Sequence, residues 1–376
     1  MPPGRPTRIL IVDDSAVMRS LLRSVIATDP GIAVAGTATD GASALALLRL
    51  DQPDLVLLDV EMPVMDGLIT LREMRQRGYK MPVIMCSSLT QSGAKVTIEA
   101  LAGGASDYVA KPAGHSSREQ ALAALAQELL PKIHALAGRG SLEQRAVPSA
   151  RPVIAIPQPP PVTQPIATAP SVVAIGVSTG GPAALDVLLP ALPPGFPLPV
   201  LIVQHMPEVF TRLLAERLNQ KCVLRVSEAS EGAPVQPGTV LIARGGSHME
   251  VIPAARSSAP PTIRITQDPP ENHCRPAADV LLRSAVRVYG SGVLAVILTG
   301  MGSDGLAGCR LIRGQGGSVI AQDQLTSTVW GMPGAVVQAG LAQRVLPLGS
   351  IAAEIARIAA RFAQAAPLRN DVRQVV

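Results

Sequence analysis

Residues 172–182 read Val172-Val-Ala-Ile-Gly-Val-Ser178-Thr-Gly180-Gly181-Pro182. An unbroken apolar run of this length is the mark of a strand buried on both faces of a parallel sheet. The run stops at a serine and a glycine pair, which predicts a strand, a tight turn and then a helix. Such a turn exposes the Ser178 hydroxyl and aims backbone N–H groups at one point, an arrangement suited to an oxyanion. Further runs at Val200–Val203, Val293–Leu298 and Ser318–Ala321 repeat the theme. Gly238–Pro253 and Thr262–Ile265 look like an antiparallel β insertion between them. The second half therefore reads as a doubly wound, mostly parallel α/β domain with a β-hairpin insertion.

The first half has the same grammar. Apolar runs at Ile9–Val12, Ile32–Ala35, Leu55–Leu58, Pro82–Cys86 and Tyr108–Ala110 alternate with helical periodicity, as in Val17, Leu21, Leu22, Val25 and Ile26. Five such units predict a parallel sheet covered by helices on both faces. Between the halves Pro157, Pro159, Pro160, Pro161, Pro165 and Pro170 leave no periodicity, so this stretch is a semi-extended linker. The expected divisions are a first domain over 1–137, a linker over 138–171, a second domain over 172–367 and a tail over 368–376.

Composition narrows the classes. Aromatics are only 2 % of the 376 residues, which disfavours a nucleic-acid stacking surface. Residues 172–376 carry 17 basic and 13 acidic side chains, scattered rather than in a run. That is a solvated surface, at most a mild preference for acidic partners. Cys86, Cys222, Cys274 and Cys309 form no C-x-x-C pair, against zinc or a disulfide framework and in keeping with a reducing cytoplasm. Met1–Pro6 leads almost directly into a strand, with no signal peptide, and the prolines of 187–204 exclude a membrane helix there. A soluble, cytoplasmic protein that is not membrane-embedded is expected.

Ligands of open parallel sheets gather beyond the carboxyl ends of the strands. In the first half Asp13 and Asp14, Asp59, Ser87 and Lys111 each follow a different apolar run. Three carboxylates at one edge repel each other, and a hard cation such as Mg²⁺ relieves that cost and lets an anionic phosphoryl group approach. Lys111 can balance the phosphoryl charge and Ser87 can donate a hydrogen bond to it. In the second half a serine nucleophile needs a base. Of five histidines, His205 is placed by topology beside Ser178, ahead of His248 and His273. Asp304, past the Val293–Leu298 run, is the residue to orient that imidazole, unless it serves only as a helix cap. A dinucleotide turn is disfavoured, because Ser178 replaces the second glycine of G-x-G-x-x-G.

These segments carry two resemblances. Ile9-Leu-Ile-Val-Asp-Asp14, Leu57-Leu-Asp59-Val-Glu-Met-Pro63 and Tyr108-Val-Ala-Lys111-Pro112 make residues 7–125 similar to the flavodoxin-like (βα)5 receiver domain of a two-component response regulator. The resemblance implies Asp59 as phosphoryl acceptor, with Asp13, Asp14, Asp59 and the Glu61 backbone carbonyl around Mg²⁺. It also implies Ser87, Tyr108 and Lys111 as the groups that sense phosphorylation. Ile175-Gly-Val-Ser178-Thr-Gly-Gly181, Val203-Gln-His205-Met-Pro207, Leu298-Thr-Gly-Met-Gly-Ser-Asp304-Gly305 and Gly331-Met-Pro333 make residues 172–350 similar to the chemotaxis protein-glutamate methylesterase family.

That second resemblance implies Ser178 as nucleophile, His205 as base and Asp304 as its partner, with the amides of Thr179 and Met301 as oxyanion donors and no cofactor for the ester chemistry. It further implies chemoreceptors as substrate, a histidine kinase as phosphodonor, deamidation of receptor glutamines as a second reaction, and a receiver that covers the active site until Asp59 is phosphorylated. Arg244 departs from the family's usual proline and puts only the local loop in doubt. Two rivals remain. A DNA-binding output would need a helix-turn-helix and a concentrated basic face, and a binding-only adaptor would lack a triad residue.

Overall fold

The computed structural model describes residues 5–88, 90–112, 117–143, 166–254, 256 and 259–365. The expected tail and most of the expected linker lie outside the described residues.

In the first half the chain runs through β1 (Thr7–Val12), α1 (Ala16–Ile26), β2 (Ile32–Ala38), α2 (Gly41–Leu50), β3 (Leu55–Asp59), α3 (Gly67–Gln76), β4 (Val83–Ser87), α4 (Gln91–Ala102), β5 (Asp107–Ala110) and α5 (Arg118–Glu143). The strands form one parallel sheet in the order β2-β1-β3-β4-β5. Strand order reverses at β1, so the crevice between the ends of β1 and β3 is the place for a ligand. The first four helices start where a short polar side chain accepts a hydrogen bond from the first turn: Ser15, Asp40, Asp66 and Thr90. Helix α1 buries Met18, Leu21, Leu22, Val25 and Ile26, while Val17 is 79 % exposed. The apolar face thus holds Met18 in place of the expected Val17, because Met18 lies at i−3 from Leu21 and i−4 from Leu22 whereas Val17 neighbours only Leu21. Helix α5 continues beyond residue 137, the expected domain limit.

The second half comprises β6 (Val172–Val177), α6 (Gly181–Leu188), β7 (Val200–Gln204), α7 (Glu208–Lys221), β8 (Arg225–Glu228), β9 (Thr239–Ile242), β10 (His248–Ile252), β11 (Thr262–Thr266), α8 (Ala278–Tyr289), β12 (Val293–Ile297), α9 (Leu306–Gly314), β13 (Ser318–Gln322), α10 (Met332–Gln338), β14 (Arg344–Leu346) and α11 (Leu348–Ala365). Seven strands form a sheet in the order β14-β13-β12-β6-β7-β9-β8, every pairing parallel. Here the order reverses at β6, which puts Ser178 at the switch point of the sheet. The expected insertion is only partly antiparallel. Thr239–Ile242 joins the main sheet beside β7, and only β10 and β11 pair antiparallel. The residues of β9 are as apolar as a buried parallel strand requires, and that pattern cannot by itself name the partner.

The halves pack on each other. Helix α4 lies against α6 and α7, and one continuous apolar cluster includes Ile98, Tyr108, Leu185 and Phe210. A second cluster joins Leu125, Leu129 and Ile133 of the first half to Val329 of the second, with Met301 packed against it.

Candidate active site and acidic pocket

At the carboxyl edge of the first sheet Asp13 and Asp59 are buried and Asp14 is exposed. Carboxylate oxygens of all three lie within 4.8 Å of one another. The Lys111 ammonium reaches both buried acids, 2.9 Å from Asp13 and 2.7 Å from Asp59. Burial pushes the Asp59 carboxyl up to about 6; the hydrogen bond from Lys111 opposes this and the charge of Asp13 adds to it. Three acids against one ammonium leave an oxygen-only donor set with excess negative charge, which fits a hard divalent cation. Ser87 is fully buried and its hydroxyl accepts from Thr97 at 2.7 Å. Tyr108 is turned toward the other half: its ring stacks on Phe210 with centroids 4.5 Å apart, and the Lys132 ammonium sits 4.9 Å from its centre.

At the carboxyl edge of the second sheet Ser178 follows β6, His205 follows β7 and Asp304 follows β12. The Ser178 turn depends on close approach. Gly180 has φ +78°, and a Cβ there would come within 2.3 Å of the Thr328 hydroxyl. A Cβ on Gly300 would stand 2.8 Å from Ser178 Cβ, so glycine lets the β12 loop reach the serine. Gln204 secures the turn by donating its amide to the Ser178 carbonyl at 3.1 Å. Neither the Thr179 nor the Met301 backbone N–H is spent on another hydrogen bond among the described residues.

His205 Nε2 and Asp304 Oδ2 are 2.7 Å apart. Asp304 is held from every side: it accepts from the N–H groups of Ala278 (2.6 Å), Asp279 (3.0 Å) and Gly305 (3.0 Å), and from the Asn272 amide (2.9 Å). The helix-cap reading is therefore correct in kind but for a different helix. Asp304 binds the N-terminus of α8, not only the turn that precedes α9, and the dipole of α8 favours its charge. Burial works against ionisation of Asp304, but the His205 bond and these N–H donors outweigh it and hold its pKa low. For His205 burial lowers the pKa, yet Asp304 and Cys274 carry it up to about 9.

The remaining ring nitrogen, Nδ1, faces the Cys274 sulfur at 3.5 Å. No hydrogen bond joins the Ser178 hydroxyl to His205 among the described residues. His248 lies elsewhere, its ring bonded to the Pro269 carbonyl and the Ala277 N–H. His273 sits exposed beside Asn272 in a turn. Arg244 pairs with Glu208 at the start of α7. Sequence reasoning missed Asn272 and Cys274, because neither stands at the end of an apolar run.

The two sites are joined. The Thr179 hydroxyl donates to Asp107 Oδ2 at 2.7 Å, across from β5 to the residue after Ser178. Tyr108, next to Asp107, makes the stack on Phe210.

Fold and site together define a response regulator whose output is an α/β domain with serine, histidine and aspartate at one sheet edge. The response regulator receiver model matches residues 9–123 and the CheB methylesterase model residues 173–355. The chain is 49 % identical over 94 % of its length to a protein-glutamate methylesterase/protein-glutamine glutaminase of a Nocardioides species, covering 96 % of that protein. It is 46 % identical over 93 % to the protein of the same name from Trichodesmium erythraeum, covering 98 % of it. The CheB methylesterase catalytic domain of Thermotoga maritima, at 41 % identity and a TM-score of 0.49, aligns over 51 % of this chain and all of its own. The chain belongs to the protein-glutamate methylesterase/protein-glutamine glutaminase family. No described helix is long and apolar enough to cross a membrane.

Proposed function

We propose that this protein hydrolyses glutamyl methyl esters on chemoreceptors, releasing methanol, under the control of phosphorylation at Asp59. The chemistry rests on the His205–Asp304 pair at 2.7 Å on the edge that carries Ser178. With Asp304 on Nε2, Nδ1 is the nitrogen that would take the Ser178 proton, once it exchanges its contact with the Cys274 sulfur for the serine hydroxyl. The Ser178 oxygen attacks the ester carbonyl, and the amides of Thr179 and Met301 receive the oxyanion. Methoxide leaves with the proton from His205; water, deprotonated by the same ring, then frees the glutamate. A glutamine side chain would follow the same course with ammonia leaving. The expected site is the cytoplasm, where a histidine kinase can supply the phosphoryl group.

Release of labelled methanol from methylated receptors, absent without the enzyme, tests this reading. A base that titrates near 9 gives a definite sign. The ring must be neutral to accept a proton, so kcat/KM of the unphosphorylated chain should climb as pH rises from 7 toward 9. A flat profile over that range would remove His205 as the base.

The observation that carries the regulation is the Thr179–Asp107 hydrogen bond. It ties strand β5 of the receiver to a proposed oxyanion residue, while Met301 and Val329 are covered by the α5 cluster. A hydrogen bond to a carboxylate contributes roughly 1.5–3 kcal/mol and an aromatic pair roughly 0.5–1.5 kcal/mol. Contacts of that size hold the docked state and can still be reversed by a phosphoryl group. Asp13, Asp14, Asp59 and the Glu61 carbonyl would hold Mg²⁺, which when bound offsets the charge of an incoming phosphoryl group. Lys111 takes its oxygens, and Ser87 and Tyr108 respond. Asp59→Asn should keep basal hydrolysis and lose all stimulation by a small phosphodonor with Mg²⁺. Phe210→Ala should raise basal hydrolysis severalfold without any phosphodonor; an unchanged basal rate would mean that docking does not restrain the esterase.

A further inference from the structure

The turn Glu271–Cys274 is built against the His205–Asp304 pair. Its ends exchange backbone hydrogen bonds, Glu271 N–H to Cys274 carbonyl at 3.1 Å and Cys274 N–H to Glu271 carbonyl at 2.8 Å. The Arg283 guanidinium grips the Glu271 carboxylate with two bonds of 2.6 and 2.5 Å. Between the ends, Asn272 and His273 both adopt the left-handed region, with φ of 53° and 62°. A non-glycine residue there is uncommon and Asn bears it best; such conformations concentrate at functional sites.

This conformation has a result. The Asn272 amide nitrogen donates one hydrogen to Asp304 Oδ1 at 2.9 Å and the other to Asp279 Oδ2 at 3.0 Å. Asp304 and Asp279 are 2 % and 3 % exposed, whereas Asn272 itself is exposed. Two neighbouring buried carboxylates tend to share a proton, since like charges raise each other's pKa. The Asp279 carboxyl is indeed raised, first by burial, with the Asp304 charge adding to it. An amide that donates to both favours the ionised form of each and adds no charge to the site. A lysine or arginine in its place would offset the charge of Asp304 and so lower the basicity of His205. Among the described residues the other donors to Asp304 besides His205 are backbone N–H groups, so Asn272 is the neutral side chain placed to fix how the carboxylate is turned toward the imidazole.

We propose that Asn272 is a positioning residue for the proposed serine hydrolase: it locks Asp304 in rotation and charge, and so presents His205 to Ser178. The same turn sets the Cys274 sulfur against the other ring nitrogen, so both members of the pair are held from one segment. The proposal rests on the serine-hydrolase reading, and the experiment separates the two.

Methanol release would be measured on the full chain in single-turnover mode, with enzyme in excess over methylated receptor and with phosphodonor present. Asn272→Gly suits the left-handed backbone and deletes only the amide. Its maximal rate constant should fall roughly tenfold or more while half-saturation stays within about twofold, as expected for loss of orientation and not of substrate binding. Asn272→Asp keeps the shape and replaces the donor by an acceptor beside two carboxylates, and should lose at least as much. In an Asp304→Asn background, Asn272→Gly should cost less than about twofold, because a residue that acts through Asp304 has nothing left to act on. Wild-type rates in both Asn272 variants, or an undiminished loss in the Asp304→Asn background, would overturn the proposal. A Ser178→Ala chain that still hydrolyses would instead overturn the hydrolase reading.

Discussion

Ser178→Ala is expected to bring ester hydrolysis down by roughly 10⁴- to 10⁶-fold, in line with removal of the nucleophile from other serine hydrolases. The substitution deletes one oxygen from a half-buried side chain whose hydroxyl bonds nothing among the described residues, so the fold should be unaffected. The turn stays anchored by Ser178 N–H to the Thr299 carbonyl at 3.0 Å and by Gln204 to the Ser178 carbonyl. Receptor binding and phosphorylation of Asp59 should therefore persist in the inactive chain. Methanol release, unfolding temperature and phosphoryl incorporation, measured on one preparation, check all three. Residual activity within tenfold of wild type would mean that another group carries the attack. His205→Ala should lose about as much, since members of such a triad act as a unit.

Asp304→Asn is expected to lower the rate by up to about 10⁴-fold, by analogy with the same change in serine proteases. Asparagine is isosteric but presents an N–H₂ group to either His205 or the α8 N-terminus. Both want an acceptor. With its oxygen in the Oδ1 place it satisfies Asp279, Gly305 and Asn272 but turns hydrogens on the imidazole and the Ala278 N–H, and so favours the wrong tautomer. The base also changes: without the carboxylate, burial dominates and the His205 pKa falls from about 9. The variant should thus be slow at every pH, with its rising limb moved to lower pH. Because Asp304 also binds the α8 N-terminus, some stability goes with it, about 0.5–2 kcal/mol for a lost helix cap. A rate loss under threefold with that loss of stability would reduce Asp304 to its capping role.

Both predictions concern residues that could be read directly from the chain, and the reason is topological. In a parallel sheet every strand delivers its carboxyl end to the same edge. An apolar run followed by Asp13, Asp59, Lys111, Ser178 or His205 therefore fixes both the strand and the address of the side chain. Neither depends on what packs on what. Some patterns are shared by two structures. Thr239–Ile242 has the apolar character of either a hairpin or a central strand, and only its pairing beside Val200–Ile202 decided between them. Val17 and Met18 likewise differ by one step around a helix, and the sheet beneath chose Met18.

Two α/β domains, their order and the residues at each sheet edge are legible in the chain, because strand period and chain direction are local properties. What those residues touch depends on packing. Asn272 reaches Asp304 across 32 positions, Cys274 reaches His205 across 69, and Thr179 reaches Asp107 across 72. Contacts at such separations follow from how turns and domains pack, and hydrogen bonds only a few ångströms long cannot be set by periodicity. The strand ends could be read from the chain; the grip on them came with the fold.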